Sequence, residues 1–263
     1  MLSPNPTIMG ILNLTPDSFS DGNKYSDPKI AIKRVEAMIS EGAGIIDIGG
    51  ESTRPGADPI DIDTEWERVR DILKAATKYD TLLSIDTYKP EIAERALQNG
   101  AKIINDIATF EHLEEMVILA KKYSSDLVVT HNSRQQPFDK FNDLLSDIEN
   151  KFESAIVTAR KLGFDPQRLI FDIGLGFGKT NEQDIELLKN FLNIRTKFSQ
   201  RFMIGASRKS FMRLFNEQNT NDRLPCTLAV TLSTYLNGCD IFRVHDVHEN
   251  YEVLKFAQTI YEK

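Results

Sequence analysis

The sequence predicts a single (β/α)8 TIM barrel, an α/β fold, on three observations. Eight short apolar runs recur along the chain, a stretch with helical spacing follows each run, and glycines close several of those stretches just before the next run. Parallel strands covered by helices read as near-continuous apolar runs rather than alternating ones. Eight βα units in 263 residues fill one barrel of ordinary size, so residues 1–263 are expected to form one domain. An open doubly wound sheet is the alternative arrangement of the same units.

The runs are 7–13 (TIMGILN), 44–49 (GIIDIG), 81–86 (TLLSID), 101–106 (AKIIND), 126–131 (DLVVTH), 168–174 (RLIFDIG), 201–206 (RFMIGA) and 239–245 (CDIFRVH). Between them, apolar residues share one helical face. Ala31, Val35, Met38 and Ile39 form one such stripe, Trp66, Val69 and Leu73 a second, and Leu113, Met116, Val117 and Ala120 a third. The longest runs through Leu145, Ile148, Phe152, Ala155, Ile156, Ala159 and Leu162, and the last through Val253, Phe256, Ala257 and Ile260. These stripes are expected to face the core. Gly42, Gly100, Gly163 and Gly238 stand where a helix ends in a left-handed residue, and Thr180-Asn181-Glu182-Gln183 has the form of a capping box.

Composition narrows the function. The chain is 41% hydrophobic and 27% charged, with a formal net charge of −7 and both signs interspersed. That balance argues against nucleic acid or an anionic membrane as a partner. Met1 to Pro6 hold no basic segment, and the apolar stretch that follows breaks at Asn13. Neither a signal peptide nor a membrane span is expected, and the cytoplasm is the expected location. Cys226 and Cys239 form no metal or redox motif and read as reduced, partly buried small hydrophobes.

A polar residue stands at or near the C-terminal end of each run: Asn13, Asp47, Asp86, Asn105, His131, Asp172, Ser207, and Arg243 with His245. In such barrels that end is where the βα loops build the active site. One Asp after a strand is as often a turn residue or helix cap. Turn chemistry has no reason, however, to choose carboxylates, amides and imidazoles at the same end every time. Asp86, Asn105 and Asp172 could read the amino-pyrimidinone edge of a pterin or hold a hard cation, and residue type alone leaves both open. Ser207-Arg208-Lys209-Ser210 is expected to open a helix after the seventh run, and Arg243-Val244-His245 ends the eighth. Loops at those two positions form the recurrent phosphate site of barrels. Arg54 could add a third cation.

Two nucleotide motifs are excluded. Gly174 to Thr180 resembles a P-loop, but Gly174 and Gly178 enclose three residues instead of four, and Lys179 occupies the last glycine position of a dinucleotide fingerprint. Neither ATP nor NAD is expected, and these glycines are instead expected to turn the backbone into a pocket. His131 reads as a general base or as a buried core histidine. His112 and His248 read as surface helix residues.

Longer motifs add a resemblance. Gly10-Ile11-Leu12-Asn13-Leu14-Thr15-Pro16-Asp17-Ser18-Phe19-Ser20-Asp21-Gly22 and Asp47-Ile48-Gly49-Gly50-Glu51-Ser52-Thr53-Arg54-Pro55-Gly56 resemble the two signatures of the dihydropteroate synthase family. Ser84-Ile85-Asp86-Thr87, Ile104-Asn105-Asp106, Gly176-Phe177-Gly178-Lys179, Ser207-Arg208-Lys209-Ser210-Phe211 and Arg243-Val244-His245 are similar to further family motifs, in order, across essentially the whole chain. The resemblance implies condensation of 6-hydroxymethyl-7,8-dihydropterin diphosphate with p-aminobenzoate, with pyrophosphate lost to leave a stabilised pterin-methyl cation. It implies that Asn13 coordinates Mg2+, that Asp86, Asn105, Asp172 and Lys209 hold the pterin, and that Thr53, Arg243 and His245 engage the diphosphate. Arg54 joins the substrate-binding residues, and Ser210 receives the carboxylate of p-aminobenzoate. Asp86, Asp172, Lys209, Arg243 and His245 are the implied catalytic set, Asp17 and Phe19 help position the amine, and loops around 14–24 and 50–62 close over the site. A homodimer is implied too.

Two positions depart from the family pattern. Thr130-His131-Asn132 replaces a common Met-His, and Asp172-Ile173-Gly174 replaces Asp-Pro-Gly, so backbone freedom at Ile173 could aim Asp172 differently. A pterin-binding methyltransferase would share the Asp and Asn ring without needing a diphosphate site. A pterin-binding paralogue without turnover is the other alternative.

Overall fold

The computed structural model describes residues 3, 5–15, 27–52, 57–108, 110–214 and 223–261. Eight parallel strands pair in sequence order: β1 (Thr7–Asn13), β2 (Ile45–Gly49), β3 (Leu82–Asp86), β4 (Ile103–Asp106), β5 (Asp126–Thr130), β6 (Leu169–Asp172), β7 (Arg201–Ile204) and β8 (Ile241–Val244). β8 returns to β1, so the sheet closes as the expected barrel, and no open doubly wound sheet forms. Around it lie α1 (Pro28–Ser40), α2 (Ile62–Ala76), α3 (Pro90–Gln98), α4 (Leu113–Tyr123), α5 (Phe141–Leu162), α6 (Asn181–Lys189), α7 (Phe191–Arg195), α8 (Leu224–Leu236) and α9 (Val247–Tyr261).

Strand parity separates two environments, because successive side chains point to opposite faces. Inside the barrel, Met9, Ile45, Ile103, Val128, Ile170, Met203 and Ile241 form one buried apolar cluster. Two residues further along β2, β4, β6 and β8 the same face carries Asp47, Asn105, Asp172 and Arg243. The barrel is therefore plugged with hydrocarbon below and floored with polar groups at its C-terminal mouth. Residues of the other parity, among them Ile46, Leu83, Val129, Phe171 and Phe202, pack outward under the helices. Phe152 of α5 stacks on Phe171 at 4.2 Å, and Phe198 meets Phe152 edge-on.

The expected stripes of α1, α2 and α4 face this outer core, with Ile39 and Trp66 only partly buried. Along α5, Leu144 is buried while Leu145, Ile156 and Leu162 are only partly so. On α9 the expectation is corrected. Val247, Asn250, Leu254 and Ala257 face the barrel, whereas Phe256 is 69% and Ile260 55% exposed. Helix ends follow the sequence closely. Gly42, Gly100, Gly163 and Gly238 all take positive φ, and Thr180 with Gln183 forms the capping box of α6. One expected helix start is also corrected: Ser210 begins a five-residue 3-10 segment, Ser210–Leu214. Among the described residues no helix is long and apolar enough to cross a membrane.

Candidate active site

Arg243 lies across the mouth of the barrel. Its Nε donates to Asp47 Oδ2 and its Nη2 to Asp86 Oδ2, each at 2.6 Å. Asn105 Nδ2 donates to the same Asp47 oxygen at 2.9 Å. Asp47, Asp86, Asn105 and Asp172 are all buried. Asp172 Oδ1 accepts from the Gly174 amide at 2.8 Å, so Gly174, at φ +66°, fixes the carboxylate without the family proline. Gly49 and Gly205 lie beside these groups, and a Cβ on either would meet them only at ordinary contact distance. A Cβ on Gly49 would stand 3.4 Å from Asp86 Cβ and 3.6 Å from Asn13 Oδ1. One on Gly205 would stand 3.8 Å from Asp172 Oδ2 and 3.9 Å from Arg243 Cδ.

Lys209 reaches the same mouth from beyond β7. Its Nζ donates to the Leu175 carbonyl and sits 4.7 Å from the Phe177 ring centre, with the Arg134 guanidinium also 4.7 Å from that centre. Lys209 turns inward because Arg208, at φ +60°, turns the chain and spends its own guanidinium on Asp246, at 3.1 and 2.5 Å. The expected basic pair therefore splits, and of the two only Lys209 serves the mouth. His245 flanks it, with Nδ1 3.0 Å from Ser207 Oγ. Ser210 is exposed, its Oγ donating to Asn181 Oδ1 at 3.3 Å.

Three carboxyls thus face two cations. Burial pushes Asp86 up to about 7 despite Arg243 beside it, and burial also raises Asp172. The Lys209 ammonium is pushed down to about 8 by burial, against the attraction of Asp172 and Asp184. Burial alone would lower Arg243, but Asp47 and Asp86 outweigh it and hold the guanidinium charged. Asp47 Oδ1, Asp86 Oδ1 and Asn105 Oδ1 are buried acceptors without a hydrogen-bond partner among the described residues. Such oxygens are costly to leave unmade and suit a ligand edge rich in N–H donors.

A family model described as "Pterin binding enzyme" matches residues 9–245. A dihydropteroate synthase of Clostridium beijerinckii is 41% identical, over 96% of this chain and 93% of that protein. The chain belongs to the dihydropteroate synthase family. The crystal structure of the Clostridium difficile dihydropteroate synthase in the presence of pteroic acid superposes with a TM-score of 0.90 at 37% identity, covering 100% of this chain and 99% of that one. The Xanthomonas albilineans dihydropteroate synthase with 4-aminobenzoic acid gives 0.90 at 30% identity, covering 99% and 94%.

For this member of the dihydropteroate synthase family, the structure brings Asn13, Asp86, Asn105, Asp172, Lys209, Arg243 and His245 to one end of the barrel. Thr53, Arg54, Asp17 and Phe19 lie outside the described residues. His131 does not join the ring. It has the outward parity of Leu127 and Val129, its Nε2 lies 2.9 Å from Asp147 of α5, and burial pushes it down to about 3. It is a neutral core histidine. Two organising groups carry no site role on sequence grounds, although Asp47 stands among the polar residues that end the runs. Asp47 holds both Arg243 and Asn105, and its place two residues after the inward Ile45 was the available signal. Lys179 donates to the carbonyls of His131, Gly174 and Phe177 at 3.1, 2.8 and 3.3 Å, bracing the wall beside Asp172, a role no local pattern announces.

Proposed function

We propose that this chain joins 6-hydroxymethyl-7,8-dihydropterin diphosphate to p-aminobenzoate, releasing pyrophosphate and 7,8-dihydropteroate. The observation that carries this is the set of unpartnered buried oxygens on Asp47, Asp86 and Asn105, placed beside Lys209 and Arg243. A pterin offers an amino group and a ring N–H on one edge, and its diphosphate tail is anionic. The mouth offers acceptors and cations to match. In this reading Asp86, Asn105, Asp172 and Lys209 hold the ring. Thr53, Arg54, Arg243 and His245 take the diphosphate, and Ser210 takes the aminobenzoate carboxylate. The bond from the pterin methylene to the diphosphate oxygen breaks and pyrophosphate leaves with the electron pair. The dihydropterin ring delocalises the resulting cation, which buried Asp86 and Asp172 favour electrostatically. The arylamine nitrogen then bonds to the methylene and loses a proton. No protein nucleophile is needed.

The implied Mg2+ fits as a cation brought by the substrate. The described residues hold no group of three His, Cys, Asp or Glu placed to bind a metal, and Asn13 adds one amide oxygen at the rim. Magnesium commonly takes few protein ligands together with substrate phosphates. When bound, it would neutralise the leaving group.

We also read residues 1–263 as one pterin-binding domain, located in the cytoplasm, where the free thiols of Cys226 and Cys239 stay reduced. A homodimer is the expectation for the family, and an exposed apolar pair supports it. On α9, Phe256 and Ile260 are exposed apolar side chains that a second copy could cover. The deciding experiment on the function is a pyrophosphate-release assay on purified protein. Release is expected only when Mg2+, the pterin diphosphate and p-aminobenzoate are all present. Background release, identical for the parent and Asn13→Ala, would defeat the reading.

A further inference from the structure

Glu51 and Ile60 stand at the two ends of the connection between β2 and α2, and a single ammonium holds both. Lys89, just beyond β3, donates from Nζ to Glu51 Oε2 at 2.5 Å, to the Ile60 carbonyl at 2.6 Å and to Glu65 Oε2 at 2.8 Å. An ammonium has three donors, and all three are used. The cluster is enclosed: the side chains of Lys89, Glu51 and Glu65 are 13%, 8% and 1% exposed. The second oxygen of each glutamate accepts a hydroxyl from the same short segment. Tyr88 Oη donates to Glu51 Oε1, and Thr87 Oγ1 to Glu65 Oε1, both at 2.8 Å. Arg68 Nη1 donates to the Gly50 carbonyl at 2.8 Å, and a Cβ on Gly50 would come within 2.9 Å of the Glu65 carbonyl. Burial alone would lower the Lys89 pKa, but the two glutamates outweigh it and raise it.

Thr87, Tyr88 and Lys89 follow directly on Asp86, so both ends of the connection are tied to the strand end that carries the proposed pterin carboxylate. Thr53 and Arg54, which the proposed function assigns to the diphosphate, lie in sequence between those two ends. We propose that Lys89 is a positioning residue of the reaction: it fixes Glu51 and Ile60, the described residues that flank the proposed diphosphate-binding residues in sequence, relative to Asp86. This inference rests on the synthase reading. Enclosed charges make the tie stiffer than a surface ion pair, because breaking one side leaves an uncompensated carboxylate.

The test compares steady-state kinetics with calorimetric binding of 6-hydroxymethylpterin, which lacks the diphosphate. Lys89→Met and Glu51→Ala are expected to lower kcat/KM for the pterin diphosphate by about tenfold or more, as misplaced binding groups do. Affinity for 6-hydroxymethylpterin should stay within about twofold, a split that a general structural defect would not produce. Glu51→Gln keeps an acceptor oxygen and should recover to within about threefold of the parent. Where Lys89→Met fails to fold, Glu51→Ala decides. A Glu51→Ala variant with kcat/KM within about twofold of the parent, or one that loses pterin affinity equally, would overturn the role of Lys89. An inactive parent removes the synthase reading and this inference with it. An active parent with indifferent variants removes only this inference.

Discussion

Lys209 titrates where activity can report it. Burial lowers its pKa to about 8, so the ammonium present at neutral pH is lost as pH rises through that value. The proposed pterin site then loses a cation. Accordingly, kcat/KM for the pterin diphosphate should fall on an alkaline limb near pH 8. Lys209→Met should lower kcat/KM about 100-fold at pH 7, since truncating one member of a buried charge pair is costly, and should flatten that limb. An unchanged profile would take Lys209 out of the site. At this scale the sequence was largely legible, because inward parity could be read from the apolar residue two positions earlier. Ile45 foretells Asp47, Ile103 foretells Asn105, Ile170 foretells Asp172 and Ile241 foretells Arg243. His131 failed that rule, since Val128 makes Thr130 the inward residue of β5. The turn at Arg208, which sends one cation outward and the next inward, depends on a backbone angle that residue type does not specify.

Glycine decides the geometry of the connection after β6. A Cβ on Gly174 would lie 1.9 Å from the His131 carbonyl, and the residue sits at φ +66°. Gly174→Ala should therefore cost of order 3 kcal/mol, combining left-handed strain with a backbone clash, measured by urea denaturation. It should also disturb Asp172, whose carboxylate leans on that amide. A loss below about 1 kcal/mol would show that the turn relaxes freely. Strands and helix ends were readable because apolar runs, glycine stops and a capping box are local signals. The rotation of α9 was not. That helix carries apolar residues on two faces, and sequence alone does not rank them. The barrel takes the face where Asn250 is held by Thr231 and by the Asp246 carbonyl, a polar residue that a hydrophobic stripe passes over.

At the scale of the molecule, the exposed apolar face of α9 bears on assembly. Phe256→Glu places a charge on an exposed apolar position, so it should shift a dimer to monomer in light scattering while leaving thermal stability within about 0.5 kcal/mol. A parent that is monomeric at all concentrations would remove the dimer proposal. At the barrel mouth a hydrocarbon plug supports a polar floor of three carboxyls, one amide and two cations. A crystal structure of this protein with 6-hydroxymethylpterin tests its proposed role as the pterin site most directly. The expected result is the pterin ring inside the barrel mouth, its amino edge on the Asp and Asn oxygens, with Lys209 in contact. Pterin bound elsewhere, with Asp86, Asn105 and Asp172 untouched by the ligand, would contradict it.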